Sequence, residues 1–585
     1  MNRLLGETVV IDDVGPGRRS RAYPSGGFAS LLLTPVALLL GGILLWPVAR
    51  TVQASLTGPE GQWVALANFR TALAAEGVWE VLSRTVLWAA VVPVIVIGLG
   101  YLLAASRRAG TLLLLAPMGL PFVVTGVMFR LFYDPDPIRG TGTRVLAALA
   151  GLVGVPAGSV PAWLGPELIT VALMSAFVWA WIGLPVVVFR TALDALPSDL
   201  GDVVRAAGGG RRDVFLDAVW RPLLRRTGAI VFALVAIGTA RAFDLILVMA
   251  PGSTLDEAAT LAVRVWQTSG SATTGPAAAL NTLWLAALGA GVVAAAVGGR
   301  QAWPPPAPAP ARERPPAGRT PWRVARRLLP VLIALVWAVP VLALVATSLH
   351  SPRDAATRGW TTASMQLGSY REVLARDDLI RSLWFTAVLA LSVTVAVVVL
   401  ALPAGYALAR LRPPGTAAAG VLLVAASAVP VQVVAGPVNE VLGLVGLAGT
   451  SFGLGLVHVA LGVPFAVLVL RNGLGDVPGA RVRAARIAGR REWGVLLRTV
   501  PAAVPAIIAV AVLEFVQVWN DFVVGLLFGG AGTPLGLLLF GQTRQFVSNS
   551  GTLAAFALLA SVPPLLLIVL ARRQVITGLV SGAVR

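Results

Sequence analysis

The 585-residue sequence contains no cysteine, no lysine and only two histidines, His350 and His458. Each absence closes a class of chemistry. Without cysteine there is no disulfide framework, thiolate metal site or thiol nucleophile, and two histidines are too few for an imidazole metal centre. Without lysine there is no phosphate loop of the Gly-Lys-Ser/Thr type, which needs its lysine to reach the nucleotide phosphates. If ATP drives this protein, another subunit binds it. Charge is sparse, at 12% of residues against 57% hydrophobic. The mean hydropathy of +0.82 is far above what a soluble chain of this length needs.

Apolar runs of roughly 20 residues, the length a helix needs to cross a bilayer, recur along the whole chain. Only helices and closed barrels satisfy their backbone in lipid, and continuous Leu/Val/Ala runs mean helices. Six spans are expected near 28–48, 85–105, 111–133, 168–189, 228–250 and 277–298, and six more near 328–349, 382–408, 416–438, 452–470, 504–528 and 552–570. Between the sets lies a Pro/Arg-rich segment, 299–327, with Pro304, Pro305 and Pro306, read as a semi-rigid linker. The fold class is therefore an all-α membrane protein of about twelve transmembrane helices, in halves 28–298 and 328–585.

All 46 basic residues are arginine, and against 27 acidic residues they give a formal charge of +19. They gather in short clusters beside apolar runs, such as Arg107-Arg108, Arg211-Arg212, Arg490-Arg491 and Arg572-Arg573. That is the pattern of orientation determinants rather than of a nucleic-acid-binding face. The arginine-rich side is read as cytoplasm and both termini are placed there, in the plasma (inner) membrane of a prokaryote. Segment 1–27, with Arg18, Arg19 and Arg21, reads as a cytoplasmic tail, since the run after it is longer than a signal-peptide core.

The halves repeat in the same order. Trp46-Pro47 leads to Ala54-Ser55-Leu56 as Val339-Pro340 leads to Thr347-Ser348-Leu349, and Asn68-Phe69-Arg70 is matched by Ser369-Tyr370-Arg371. Six spans per half make these parallel repeats. The loops between the fourth and fifth spans, 196–222 and 477–501, share one grammar. Each has a proline at a first helical position, a turn or two of small residues, a glycine break, and a second amphipathic helix ended by a proline. Small residues on an exposed helix permit close docking.

In these loops the sequence resembles the permease subunits of binding-protein-dependent ABC importers, whose signature is Glu-Ala-Ala, three residues, then Gly. Asp202-Val203-Val204 with Gly208, and Arg483-Ala484-Ala485 with Gly489, occupy those positions. Phe243-Asp244-Leu245-Ile246 with Met249-Ala250-Pro251-Gly252 is similar to the upstream permease of the maltose-type, carbohydrate-uptake group. Gly405-Tyr406-Ala407-Leu408-Ala409-Arg410 and Val518-Trp519-Asn520-Asp521-Phe522 are similar to the downstream one. The resemblance implies two permeases fused in one chain, each half with a cytoplasmic coupling helix. Its implied partners are two ATP-binding-cassette ATPase domains, an extracytoplasmic solute-binding protein, a small sugar-like solute and the lipid bilayer. It implies no catalytic residue, metal or cofactor on this chain, with ATP and Mg held by the ATPases. One departure is Arg483, which reverses the charge of the signature glutamate.

Polar groups within spans are the expected substrate-path candidates, because burying them in lipid is costly. They are Arg241 and Asp244 on the fifth span and Glu514, Gln517, Trp519, Asn520 and Asp521 on the eleventh, with Trp179 and Trp181 as further stacking surfaces. The competing expectation is an ion pair, Arg241 with Asp244 or with Glu514, that holds the halves together. His458 reads as packing, and Pro185 and Pro464 as either kinks or packing elements. Two other functions fit parallel repeats: a secondary carrier driven by an ion gradient, and a non-transporting scaffold that binds an ATPase.

Overall fold

The computed structural model describes residues 25–105, 116–156, 161–194, 200–217, 225–268, 275–299, 321–351, 365–530, 532–545 and 549–583, with Asp354 and Thr357. Of the tail expected over 1–27 only 25–27 are described, and of the linker expected over 299–327 only 299 and 321–327, the latter forming the start of the helix Pro321–Ser348 rather than a polyproline connector. Among the described residues the fold is all-helical, apart from one isolated bridge between Thr57 and Trp63.

The first half runs α1 (Gly27–Leu56), α2 (Ala67–Ala74), α3 (Val78–Ala105), α4 (Phe122–Phe132), α5 (Thr141–Leu152), α6 (Ile169–Trp181), α7 (Gly183–Asp194), α8 (Leu200–Ala206), α9 (Arg225–Ala240), α10 (Asp244–Met249), α11 (Leu261–Gln267) and α12 (Gly275–Gly299). The second runs α13 (Pro321–Ser348), α14 (Gly368–Leu374), α15 (Asp377–Leu411), α16 (Thr416–Ala428), α17 (Val431–Leu444), α18 (Ser451–Gly475), α19 (Gly479–Ile487), α20 (Glu492–Trp519), α21 (Val523–Phe528), α22 (Leu535–Gln545) and α23 (Ser550–Ala583).

Seven of these helices are long and apolar enough to cross a membrane, or nine if each bent pair counts as one span; three shorter apolar helices fall at other expected spans. The count of twelve is thus not reached by length and composition among the described residues, and two of the expected spans are bent. α16 and α17 meet at 98° because Pro430 has no N–H to continue the ladder and holds Val429 extended, at ψ 121°. Pro121 plays the same part ahead of α4, at ψ 140°. α6 and α7 bend by 45° just before Pro185, whereas Pro464 sits inside an unbroken α18, and Pro501, expected to end the second helix of its loop, lies inside α20, which runs on to Trp519.

The halves interlock through their first helices. α1 packs on α12 of its own half and also on α15 and α17 of the other, while α13 packs on α23 and on α4. Thr51 Oγ1 donates to Val433 O at 3.0 Å. Trp179 Nε1 donates to Trp337 O at 2.8 Å, with the two indoles stacked. In an apolar medium a tryptophan N–H needs such an acceptor, and here the acceptor lies in the opposite half.

Candidate functional site

Two sets of features repeat about the interface between the halves. The first is the pair of loop helices, α8 and α19. Gly208 and Gly489 both take left-handed backbone, at φ +83° and +73°, and each ends its helix with the same two bonds. Gly208 N donates to Arg205 O and Gly209 N to Val204 O, as Gly489 N donates to Arg486 O and Arg490 N to Ala485 O. This is the Schellman closure, which satisfies the last carbonyls of a helix at the cost of a φ that suits glycine. No side chain crowds either glycine, since a Cβ there would meet nothing within 4 Å. It is the backbone turn that requires glycine.

What the two helices show to solvent differs. α19 buries Val482 and Ala485 against Tyr406, Leu474, Val495 and Leu496, leaving Ala484 exposed and Ile487 86% exposed. In α8, Asp202 and Val203 are exposed and Val204 is half-buried. Asp202 pairs with Arg205 one turn on. Arg483, at the position of Asp202, is exposed, and Arg486, at the position of Arg205, bonds Glu492 instead, at 2.8 and 3.2 Å. Tyr406 OH donates to the same carboxylate at 2.8 Å. Burial works against the Arg486 guanidinium, but the bonds and charge of Glu492 more than offset it, so its pKa stands above the ordinary arginine value. Arg410 grips the turn before α19 through Leu474 O, at 2.6 and 2.9 Å, and Val477 O.

The second repeated feature is a break within the membrane-spanning region. α9 stops at Ala240 and α10 begins at Asp244; α20 stops at Trp519 and α21 begins at Val523. Phe243 and Phe522, one from each break, stack at 6.3 Å. Arg241 Nη1 donates to Ser427 O at 3.3 Å, and Asn520 Nδ2 to Gly119 O at 3.4 Å. Each break therefore reaches the carbonyls just ahead of the proline-led helix of the opposite half. The expected ion pair is absent: among the described residues no salt bridge joins Arg241 to Asp244 or Glu514. A guanidinium has donors to spare and the α16 C-terminus has unpaired carbonyls, so backbone oxygen takes the place expected of a carboxylate.

The candidate residues differ in their surroundings. Glu514 is 2% exposed and lies against Gly462 of α18, with Oε1 lacking a partner among the described residues. Gln517 is exposed, Asp244 half-buried. Trp519 is buried on Phe515 and donates to Ala560 O at 2.9 Å, and Trp181 stacks on Phe177. Asp521 Oδ2 accepts from Val524 N and Gly525 N at 3.0 and 3.1 Å, capping α21. His458 Nε2 lies 3.8 Å from that oxygen, beyond hydrogen-bond reach. Asp521→Ala is expected to cost about 1 kcal/mol through loss of the cap, seen as a lower melting temperature in detergent, with Asp521→Asn losing less.

Sequence reasoning overlooked the Tyr406, Glu492 and Arg486 cluster and the crossed bonds of Arg241 and Asn520. Tyr406 and Arg410 were in view within the Gly405–Arg410 block, but the partner carboxylate is 86 residues away from Tyr406.

A sequence model for the binding-protein-dependent transport system inner membrane component matches residues 401–576, from the end of α15 into α23. The chain is 30% identical over 266 residues to the osmoprotective compounds uptake permease protein of Synechocystis sp., covering 43% of this chain and 89% of that one. It is 27% identical over 268 residues to the trehalose transport system permease protein of Mycobacterium tuberculosis, covering 44% and 96%. A bacterial ABC transporter that imports the acidic polysaccharide alginate has 18% identity to it, over 44% of this chain and 99% of that one, with a TM-score of 0.39. With apolar helices throughout, repeated glycine-capped loops and a 30% identical permease matched over nearly its full length, the chain belongs to the family of binding-protein-dependent transport system inner membrane components and is a multi-pass membrane protein.

Proposed function

We propose that the chain is the complete translocation unit of an ATP-driven importer, two permease halves in one polypeptide, carrying a sugar or sugar-like solute delivered by an extracytoplasmic binding protein. The observation that carries this reading is the pair of loop helices, α8 and α19, closed by the same glycine turn at matched positions. A permease driven by two ATPase domains needs one such helix for each, and an ion-driven carrier has no use for either. The relatives covered nearly whole by under half of this chain support the fusion, and their names, osmoprotective compounds and trehalose, support a polyhydroxylated cargo. ATP and Mg belong to the ATPases, and closure of those domains pulls α8 and α19, and through them the spans. The loop helices then lie in the cytoplasm, as do both ends of the chain.

The test is energetics. In cells carrying the intact transport system, uptake of radiolabelled trehalose and competing α-glucosides is expected to survive collapse of the proton and sodium gradients while ATP is maintained. It should stop when ATP is depleted. Uptake that follows the ion gradient instead would replace the importer with a secondary carrier, and substrate-independent ATP hydrolysis by the purified complex would point to a scaffold.

A further inference from the structure

The two loop helices do not offer the same chemistry. Over the matched windows 195–211 and 476–492, the first holds Asp199 and Asp202 against Arg205 and Arg211, and is neutral. The second holds five arginines against Asp476 and Glu492, for a net charge of +3. In α8 the exposed acid Asp202 neutralises Arg205 on the same helix. In α19 the acid has moved off the helix: Glu492, at the start of α20, neutralises Arg486 from beneath, while Tyr406 fixes that carboxylate. In the first half, the position of Glu492 is Arg211, and Tyr101, which follows a glycine near the end of α3 as Tyr406 follows one near the end of α15, packs on the rings of Phe189 and Phe215.

The consequence lies at position 483. Because Glu492 serves Arg486, the outer face of α19 has no internal need of an acid, and Arg483 stands there exposed beside Arg490 and Ile487. We propose that the second loop helix docks into an apolar socket rimmed by acidic side chains, whereas the first docks into a charge-neutral one, so the two ATPase positions are electrostatically distinct. This inference rests on the importer reading above. Charge complementarity selects the occupant: an exposed isoleucine with exposed arginines four residues before and three after it matches an acidic rim and repels a basic one. The contact is short-ranged, since screening lengths are about 10 Å at 0.1 M salt.

The test uses the full chain, affinity-purified from its native membrane in mild detergent, with the ATPase that accompanies it quantified per chain by mass spectrometry between 50 and 500 mM NaCl, on the order of a threefold change in screening length. Wild type is expected to hold two ATPase subunits at low salt and to release one of them first as salt rises. Arg483→Glu should hold one at every salt concentration, and Arg483→Gln should shift the release of that one to lower salt. Arg381→Glu, the same charge change at an exposed site at the start of α15, should behave as wild type. Two subunits retained by Arg483→Glu, or both lost, overturns the asymmetry while leaving the importer reading intact. No ATPase with wild type at any salt defeats the importer reading and this inference with it.

Discussion

Replacing Gly208 and Gly489 together with valine is expected to lower ATP-dependent uptake by about thirtyfold or more while the chain still inserts in the membrane. Both residues hold left-handed backbone, which costs an L-residue roughly 1–2 kcal/mol, and more when it is β-branched. The sites lie in different halves and share no partner, so their costs add to about 2–4 kcal/mol, where each 1.4 kcal/mol is worth about tenfold. Nothing crowds a side chain at either position, so the strain acts on the helix closure itself. It frees the bonds from Gly209 N to Val204 O and from Arg490 N to Ala485 O. Each loop helix then frays at the end that, in the proposed importer, has to carry force. Alanine should do less harm than valine, and either single valine less than the pair. Uptake at the wild-type rate in the double valine variant would show that these turns do not transmit the motion.

Gly462→Ala is expected to destabilise the second half by about 1–3 kcal/mol, the usual cost of an added methyl in a packed interior. A Cβ at 462 would stand 2.1 Å from Glu514 Oε1 and 2.5 Å from its Cδ. A carboxyl group at the end of a side chain can ordinarily swing aside. Glu514 is 2% exposed, and swinging it pushes a polar group into the apolar packing between α18 and α20, which is costly. Glu514→Ala in the same chain makes room, so the double variant should melt above Gly462→Ala alone. Since α18 leads through the turn at 476–478 into α19, the single variant should also weaken uptake. Additive losses in the double variant would mean that the two residues do not meet in the working protein.

The closeness of Gly462 to Glu514 marks the limit of what could be read beforehand. Glu514 stood out as a carboxylate in an apolar run, which made it a path candidate, but the glycine opposite it is one among 62 and nothing local distinguishes it. Gln517 and Glu514 are three apart on one helix, yet one is exposed and the other buried, because the neighbour at each point, not the helical period, sets burial. Trp179 and Trp519 read as stacking surfaces, and nothing in the sequence marks their indole N–H groups as donors to carbonyls at 2.8 and 2.9 Å. Arg241 was expected to find a carboxylate and found the carbonyl of Ser427.

The sequence by itself determined the class of molecule. Long apolar runs leave a chain no alternative to spanning helices, zero lysine removes a Walker-type site, and a glycine six residues after each Asp202 or Arg483 position announces a capped helix, because these are constraints of local chemistry and solvent. Only the tertiary structure decided which half each helix leans on and where the bends fall short of straight spans. It also decided that Glu492 rather than a residue of α19 neutralises Arg486. Those outcomes depend on which groups are brought within about 3 Å of one another, and a polar atom in a low-dielectric interior takes the nearest partner that satisfies it, however distant that partner is along the chain.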